Sequence, residues 1–125
     1  MAVPNTASSE HSLVIEETAS ESGVTISLAG ELDAHTAGVL RETLSTLDLD
    51  TTDTLTIRCA ELTFLDSVGI QVLVEAYGAA DRKGVDFRVS EIGRFQYRVL
   101  EVTQLLDTLQ VTGRQDEEAE PDPTI

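Results

Sequence analysis

The chain is short of cations. Eight Lys and Arg stand against 23 Asp and Glu, for a formal net charge of −15. Nucleic acid and anionic membrane both require a cationic face, so the balance argues against either as a direct partner. A basic protein surface remains compatible with it. Aromatic side chains are also scarce, with three Phe, two Tyr and no Trp. The core must therefore come from Leu, Val, Ile and Ala. A single cysteine, Cys59, cannot form an internal disulfide, and its apolar strand position marks it as a buried thiol. No apolar run approaches the roughly 20 residues needed to cross a bilayer. The opening Met1-Ala2-Val3-Pro4-Asn5 lacks the basic and apolar regions of a signal peptide. These absences predict a cytoplasmic protein, and 125 residues predict one domain.

What is present reads as alternating strands and helices. Residues 1–10 have no apolar period and are expected to be disordered, leaving a folded domain over 11–111 and an acidic, proline-containing tail over 112–125. Leu13 and Ile15 begin a strand, Ser20 to Gly23 is turn chemistry, and Val24, Ile26 and Leu28 alternate with Thr25, Ser27 and Ala29. Together they predict a β-hairpin. Leu40, Leu44 and Leu47 fall on one face of a helix with Asp33 or Thr36 near its start. Leu55, Ile57 and Cys59 form a third strand, and a second helix runs from Ser67 to about Lys83 with Gly84 as its stop. Val85, Phe87 and Val89 form a fourth strand. A third helix holds Phe95, Val99, Leu100 and Val102, and a last strand spans about Leu106 to Val111. The order ββαβαβαβ implies an α/β fold: a mixed, mostly parallel sheet with helices packed on it through crossover connections.

The chemistry concentrates in Leu62-Thr63-Phe64-Leu65-Asp66-Ser67-Val68-Gly69-Ile70, which sets an Asp-Ser pair where a strand gives way to a helix. A serine at a helix N-terminus has three readings. It is a cap, a nucleophile, or a phosphorylation site whose charge the helix end accepts. Catalysis is poorly served. Gly69 occupies the second glycine of a G-x-S-x-G elbow, but Leu65 replaces the first. The only histidines are His11, beside the N-terminal segment, and His35, in a loop or first helical turn. The scattered Cys, His and carboxylates show no metal-ligand spacing, and neither GxxxxGK[ST] nor GxGxxG occurs. The residues predict a binding module with no catalytic residues, no metal and no cofactor, and with Ser67 as its most suggestive group.

Three stretches carry a family likeness. Val24 to Ala34 contains Gly30-Glu31-Leu32-Asp33, Leu62 to Ile70 contains the Asp-Ser-x-Gly turn, and Arg98 to Thr103 lies in the third helix. Over about residues 13–111 the chain resembles the STAS family, in particular its stand-alone bacterial anti-sigma factor antagonists. The resemblance implies a protein that binds an anti-sigma factor which is also a serine kinase, thereby releasing a sigma factor. It implies that the kinase phosphorylates Ser67 to weaken the complex and that a PP2C-type phosphatase reverses this. Glu31, Asp33, Asp66, Ser67, Val68 and Gly69 are implied as the partner surface, Asp66 orienting the hydroxyl or touching the kinase. Asp33 doubles as a helix cap in this reading. An alternative is a STAS-type ligand- or protein-binding module that phosphorylation does not regulate.

Three positions depart from the family pattern. Val68 stands where a second serine is common, leaving Ser67 as the sole hydroxyl of the turn. Arg58 occupies a strand position where Asp or Asn is common; it either alters the charge beside the Ser67 loop or points to solvent, and the second is expected. Gln104 replaces a frequent glycine after the third helix, which puts that helix end in question.

Overall fold

The computed structural model describes residues 12–114, so the N-terminal segment 1–10 and all but the first three residues of the expected tail 112–125 lie outside the described residues. The elements are β1 (Leu13–Ala19), β2 (Gly23–Leu32), α1 (Ala37–Ser45), β3 (Thr54–Leu65), α2 (Ser67–Arg82), β4 (Asp86–Ile92), α3 (Arg94–Val102) and β5 (Val111–Arg114), with a short 3-10 turn at Leu49–Thr51. They form one five-stranded sheet in the order β1-β2-β3-β4-β5. The β1–β2 hairpin is antiparallel, pairing Ile15 with Leu28, and the remaining pairs are parallel. This is the α/β arrangement that the strand and helix alternation predicts.

Each parallel step moves one place in the same direction across the sheet. With crossovers of the usual right hand, all three helices then collect on one face. Burial follows that geometry. Ile26 and Leu28, Leu55, Ile57 and Cys59, and Phe87 and Val89 point toward the helices and are buried. Thr25, Ser27, Thr56, Arg58, Arg88 and Ser90 point the other way and keep contact with solvent. From the helix side Leu40, Val72, Leu73, Ala76, Ala80 and Leu100 complete the core. It is aliphatic as the composition required, with Phe87 its one fully buried aromatic, set edge-on to Tyr77 at 6.2 Å between ring centres.

The alternation breaks twice in β3. Ser27 pairs with Arg58 but Ala29 pairs with Glu61, and Gly30 pairs with Leu62 but Glu31 pairs with Phe64. Each break is a β-bulge, an extra residue on β3 that changes which later side chains face inward. Gly30 permits the β2 path beside the second bulge. Its φ is +112°, and a Cβ there would lie 2.4 Å from the carbonyl oxygen of Ser12.

One expectation about the strands needs correction. The last strand begins at Val111 and runs to Arg114, whereas Leu106 to Gln110 form turns, so the folded domain extends past residue 111. The apolar residues that suggested a strand serve as anchors instead. Leu109 is fully buried, and Leu105 and Leu106 pack against the core. The third helix exists as expected, but Phe95 and Val102 are each 71% exposed. Only Leu100 and Gln96 of α3 are buried. The doubtful end of α3 resolves plainly. Gln104 itself adopts the left-handed conformation at φ 63°, while the Leu105 N–H donates to the Leu100 carbonyl at 2.8 Å. The turn that usually recruits glycine is made here without one. Gly84, at φ 74°, ends α2 in the same manner, with the Val85 N–H on the Ala80 carbonyl at 2.8 Å.

Candidate functional site

The Asp-Ser turn lies at the C-terminal edge of the sheet, where β3 delivers the chain into α2. Asp66 is the N-cap. Its backbone is extended (φ −110°, ψ −174°), and Oδ1 accepts the Gly69 N–H at 2.9 Å. The Asx cap satisfies one of the unpaired donors of the first turn. Ser67 is the first helical residue and not the cap, which corrects one reading of the sequence. It is exposed, and its hydroxyl makes no hydrogen bond among the described residues. Val68, beside it, is half-buried, and no second hydroxyl competes in the turn.

The other carboxylate oxygen of Asp66 reaches across the sheet edge. Oδ2 accepts the Ala34 N–H at 3.2 Å, and the Asp66 N–H donates to the Leu32 carbonyl at 3.2 Å. One side chain therefore joins the start of α2 to the loop after β2. That loop is itself closed by a reciprocal pair. Thr36 Oγ1 accepts the Asp33 N–H at 3.0 Å, and Asp33 Oδ1 accepts the N–H groups of His35 and Thr36 at 2.9 and 3.1 Å. Thr36 Oγ1 also donates to the Glu31 carbonyl at 2.8 Å. Asp33 and Thr36 are both buried.

The structure thus brings Glu31, Asp33, Asp66, Ser67, Val68 and Gly69 together at one edge, but not on one surface. Ser67 is exposed, Glu31 half-buried, and Asp33 and Gly69 lie beneath. Asp33 shapes the loop from below but does not cap α1 as expected: the N-cap is Thr36, and the Asp33 carboxylate accepts the N–H groups of His35 and Thr36 ahead of the helix. Gly69 fits because it has no side chain: a Cβ would lie 2.6 Å from the Leu32 carbonyl oxygen and 2.9 Å from Leu65 Cδ1. Thr36 has a larger part than its place near the start of α1 suggests. The signal is the Asp33-x-x-Thr36 spacing, which matches reciprocal capping.

Arg58 is on the open sheet face and takes Glu91 in a two-point ion pair, with Nε to Oε2 at 2.9 Å and Nη2 to Oε1 at 3.3 Å. It remains partly exposed, and its charge is matched within the sheet. Cys59 is buried as expected. Removal from water, with Glu91 adding to it, pushes its thiol pKa up to about 12, which keeps the sulfur protonated and inert. Among the described residues no three His, Cys, Asp or Glu side chains cluster so as to hold a metal ion, and no helix is long and apolar enough to cross a membrane.

The chain is similar to several known proteins. The anti-sigma-B factor antagonist of Bacillus subtilis (strain 168) is 26% identical over 96 residues, covering 77% of this chain and 87% of that protein. Its counterpart in Listeria monocytogenes is 27% identical over 94 residues, covering 75% and 82%. The crystal structure of an anti-sigma factor antagonist from Mycobacterium paratuberculosis superposes with a TM-score of 0.73 at 26% identity, over 80% of this chain and 85% of that one. Residues 13–119 match the STAS domain, and with the strand order and the Asp-Ser turn in place the chain belongs to the STAS domain family.

Proposed function

We propose that this protein is a cytoplasmic anti-sigma factor antagonist that works by partner switching. Unmodified, it binds an anti-sigma factor with serine kinase activity and so frees a sigma factor for transcription. The kinase then phosphorylates Ser67, the complex weakens, and a PP2C-type phosphatase restores the binding form. The protein is ligand and substrate in this scheme, not catalyst.

The observation that carries the reading is the division of labour between Asp66 and Ser67. Asp66 does the capping, so the Ser67 hydroxyl is exposed and unengaged among the described residues. A kinase can reach it without unpicking the helix. Phosphorylation adds about −1.5 to −2 charge and three acceptor oxygens. The N-terminal N–H groups and dipole of α2 offset part of that charge, so the fold tolerates it. A partner fitted against a neutral hydroxyl meets new charge and desolvation instead. A penalty of about 3–4 kcal/mol corresponds to a few hundred-fold in affinity.

The test is phosphosite mapping after incubation with the cognate kinase and ATP, together with binding by Ser67→Asp. Phosphate at Ser67, and loss of kinase binding with an unchanged circular dichroism spectrum, are the expected results. Phosphate elsewhere, or wild-type affinity in Ser67→Asp, favours a STAS-type binding module without the switch.

A further inference from the structure

The second bulge of β3 decides which side chain reaches the surface beside Ser67. Leu62 is buried. Simple alternation from it would turn Thr63 outward, Phe64 inward and Leu65 outward. The extra residue at Thr63 reverses the last two: Leu65 enters the core at 6% exposure, and Phe64 emerges at 45%. Thr63 is held in the bulged position by its hydroxyl, which donates to the Gly30 carbonyl at 3.0 Å. The fold thus places Phe64 in water, three residues before Ser67, when plain pairing would have buried it. Bulges beside functional sites commonly re-aim a side chain in this way.

We propose that Phe64 is the apolar anchor by which this protein engages the anti-sigma factor, an inference that rests on the partner-switching reading. The surroundings specify the occupant. Glu31 pairs across from Phe64, exposed Glu61 precedes it on the same strand, and the chain carries a net charge of −15. The complementary surface is an apolar pocket with a basic rim on a protein, since nucleic acid and anionic lipid are repelled by such a field. Aromatic side chains are enriched at interface cores, and an apolar anchor ringed by polar groups that exclude water is a recurrent arrangement there. Its closeness to Ser67 gives the switch its leverage. A phosphate added three residues away charges the rim of the contact that Phe64 seats.

Isothermal titration of the purified full-length protein with its cognate anti-sigma factor tests this, comparing wild type, Phe64→Ala, Phe64→Leu and Ser67→Asp. Phe64→Ala should weaken binding about 30-fold or more with an unchanged melting temperature, and Phe64→Leu should fall between it and wild type. The weakening should appear in the dissociation rate. If Phe64→Ala binds within about twofold of wild type while Ser67→Asp does not bind, the anchor is wrong and the switch stands. If Ser67→Asp binds like wild type, the switch is wrong, and the Phe64→Ala affinity still decides the anchor. Should Phe64→Ala fail to fold, a photo-crosslinking benzoylphenylalanine at position 64 answers the question. Crosslinking to the anti-sigma factor supports the contact, and its absence under saturating partner overturns it.

Discussion

At the scale of single residues, the site depends on a close approach that only glycine allows. Gly69 sits under Asp66 with Leu32 and Leu65 against it, and a methyl group would meet backbone oxygen at 2.6 Å. Gly38, in α1, has nothing within 4 Å of its would-be Cβ. The two alanine substitutions should therefore have opposite signs. Gly69→Ala is expected to cost about 1–3 kcal/mol through overpacking, with the start of α2 displaced. Gly38→Ala should gain about 0.5 kcal/mol by restricting the unfolded chain. Urea unfolding of both variants checks this, and a neutral Gly69→Ala would mean that the α2–β2 contact is looser than described. The same spot marks the limit of reading residues from sequence. Asp-Ser before an apolar-periodic run announces a helix start, but either residue satisfies the capping pattern. The choice turns on the extended backbone at Asp66 and its reach to Gly69, which depends on where β3 ends.

Among elements, α1 and α2 are joined across a shallow groove of about 370 Å³ lined by Leu44, Val72, Ala76 and Ala79. Arg41 bridges it to Glu75 with two hydrogen bonds, Nε to Oε1 at 2.9 Å and Nη2 to Oε2 at 3.2 Å. The hydrogen bond from Arg41 chiefly holds the Glu75 carboxyl below its ordinary range. A depressed carboxylate pKa contributes stability that is present above the unfolded value and is lost as pH falls through the folded one. The melting temperature of Arg41→Met should lie below that of wild type at neutral pH. The two should converge once pH drops well below the ordinary glutamate value of about 4.3. A gap constant with pH would mean that the arginine stem acts by packing. Legibility at this scale followed periodicity. The hairpin, the first half of β3, β4 and the three helices could be read because each keeps one period over that length. The bulges could not, since an extra residue in β3 is defined only against β2. The final strand was displaced for a related reason: Leu105, Leu106 and Leu109 fill the core from turns, and their spacing imitates a strand.

For the whole molecule the dominant quantity is charge. With 23 acidic and 8 basic residues, self-repulsion acts on the folded state at every point of its surface. The ion pairs that offset it, such as Lys83 with Asp50 at 2.8 Å, are exposed and individually weak. Raising salt from about 0.01 M to about 0.15 M shortens the Debye length from about 30 Å to about 8 Å. Screening should then relieve more repulsion than it removes attraction, and the melting temperature should rise; a fall would show that the pairs outweigh the net charge. The same field bears on the switch. Phosphorylation adds at most about two charges to a formal −15, a small change in the long-range potential that steers a cationic partner. On the proposed switch, its effect would therefore be local, at the contact proposed around Ser67 and Phe64. Stopped-flow measurements with the anti-sigma factor should find association slowed less than about threefold by Ser67→Asp, with dissociation accelerated by about a hundredfold or more. An association rate that collapses while dissociation is unchanged would place the switch in the global field and not at the helix end.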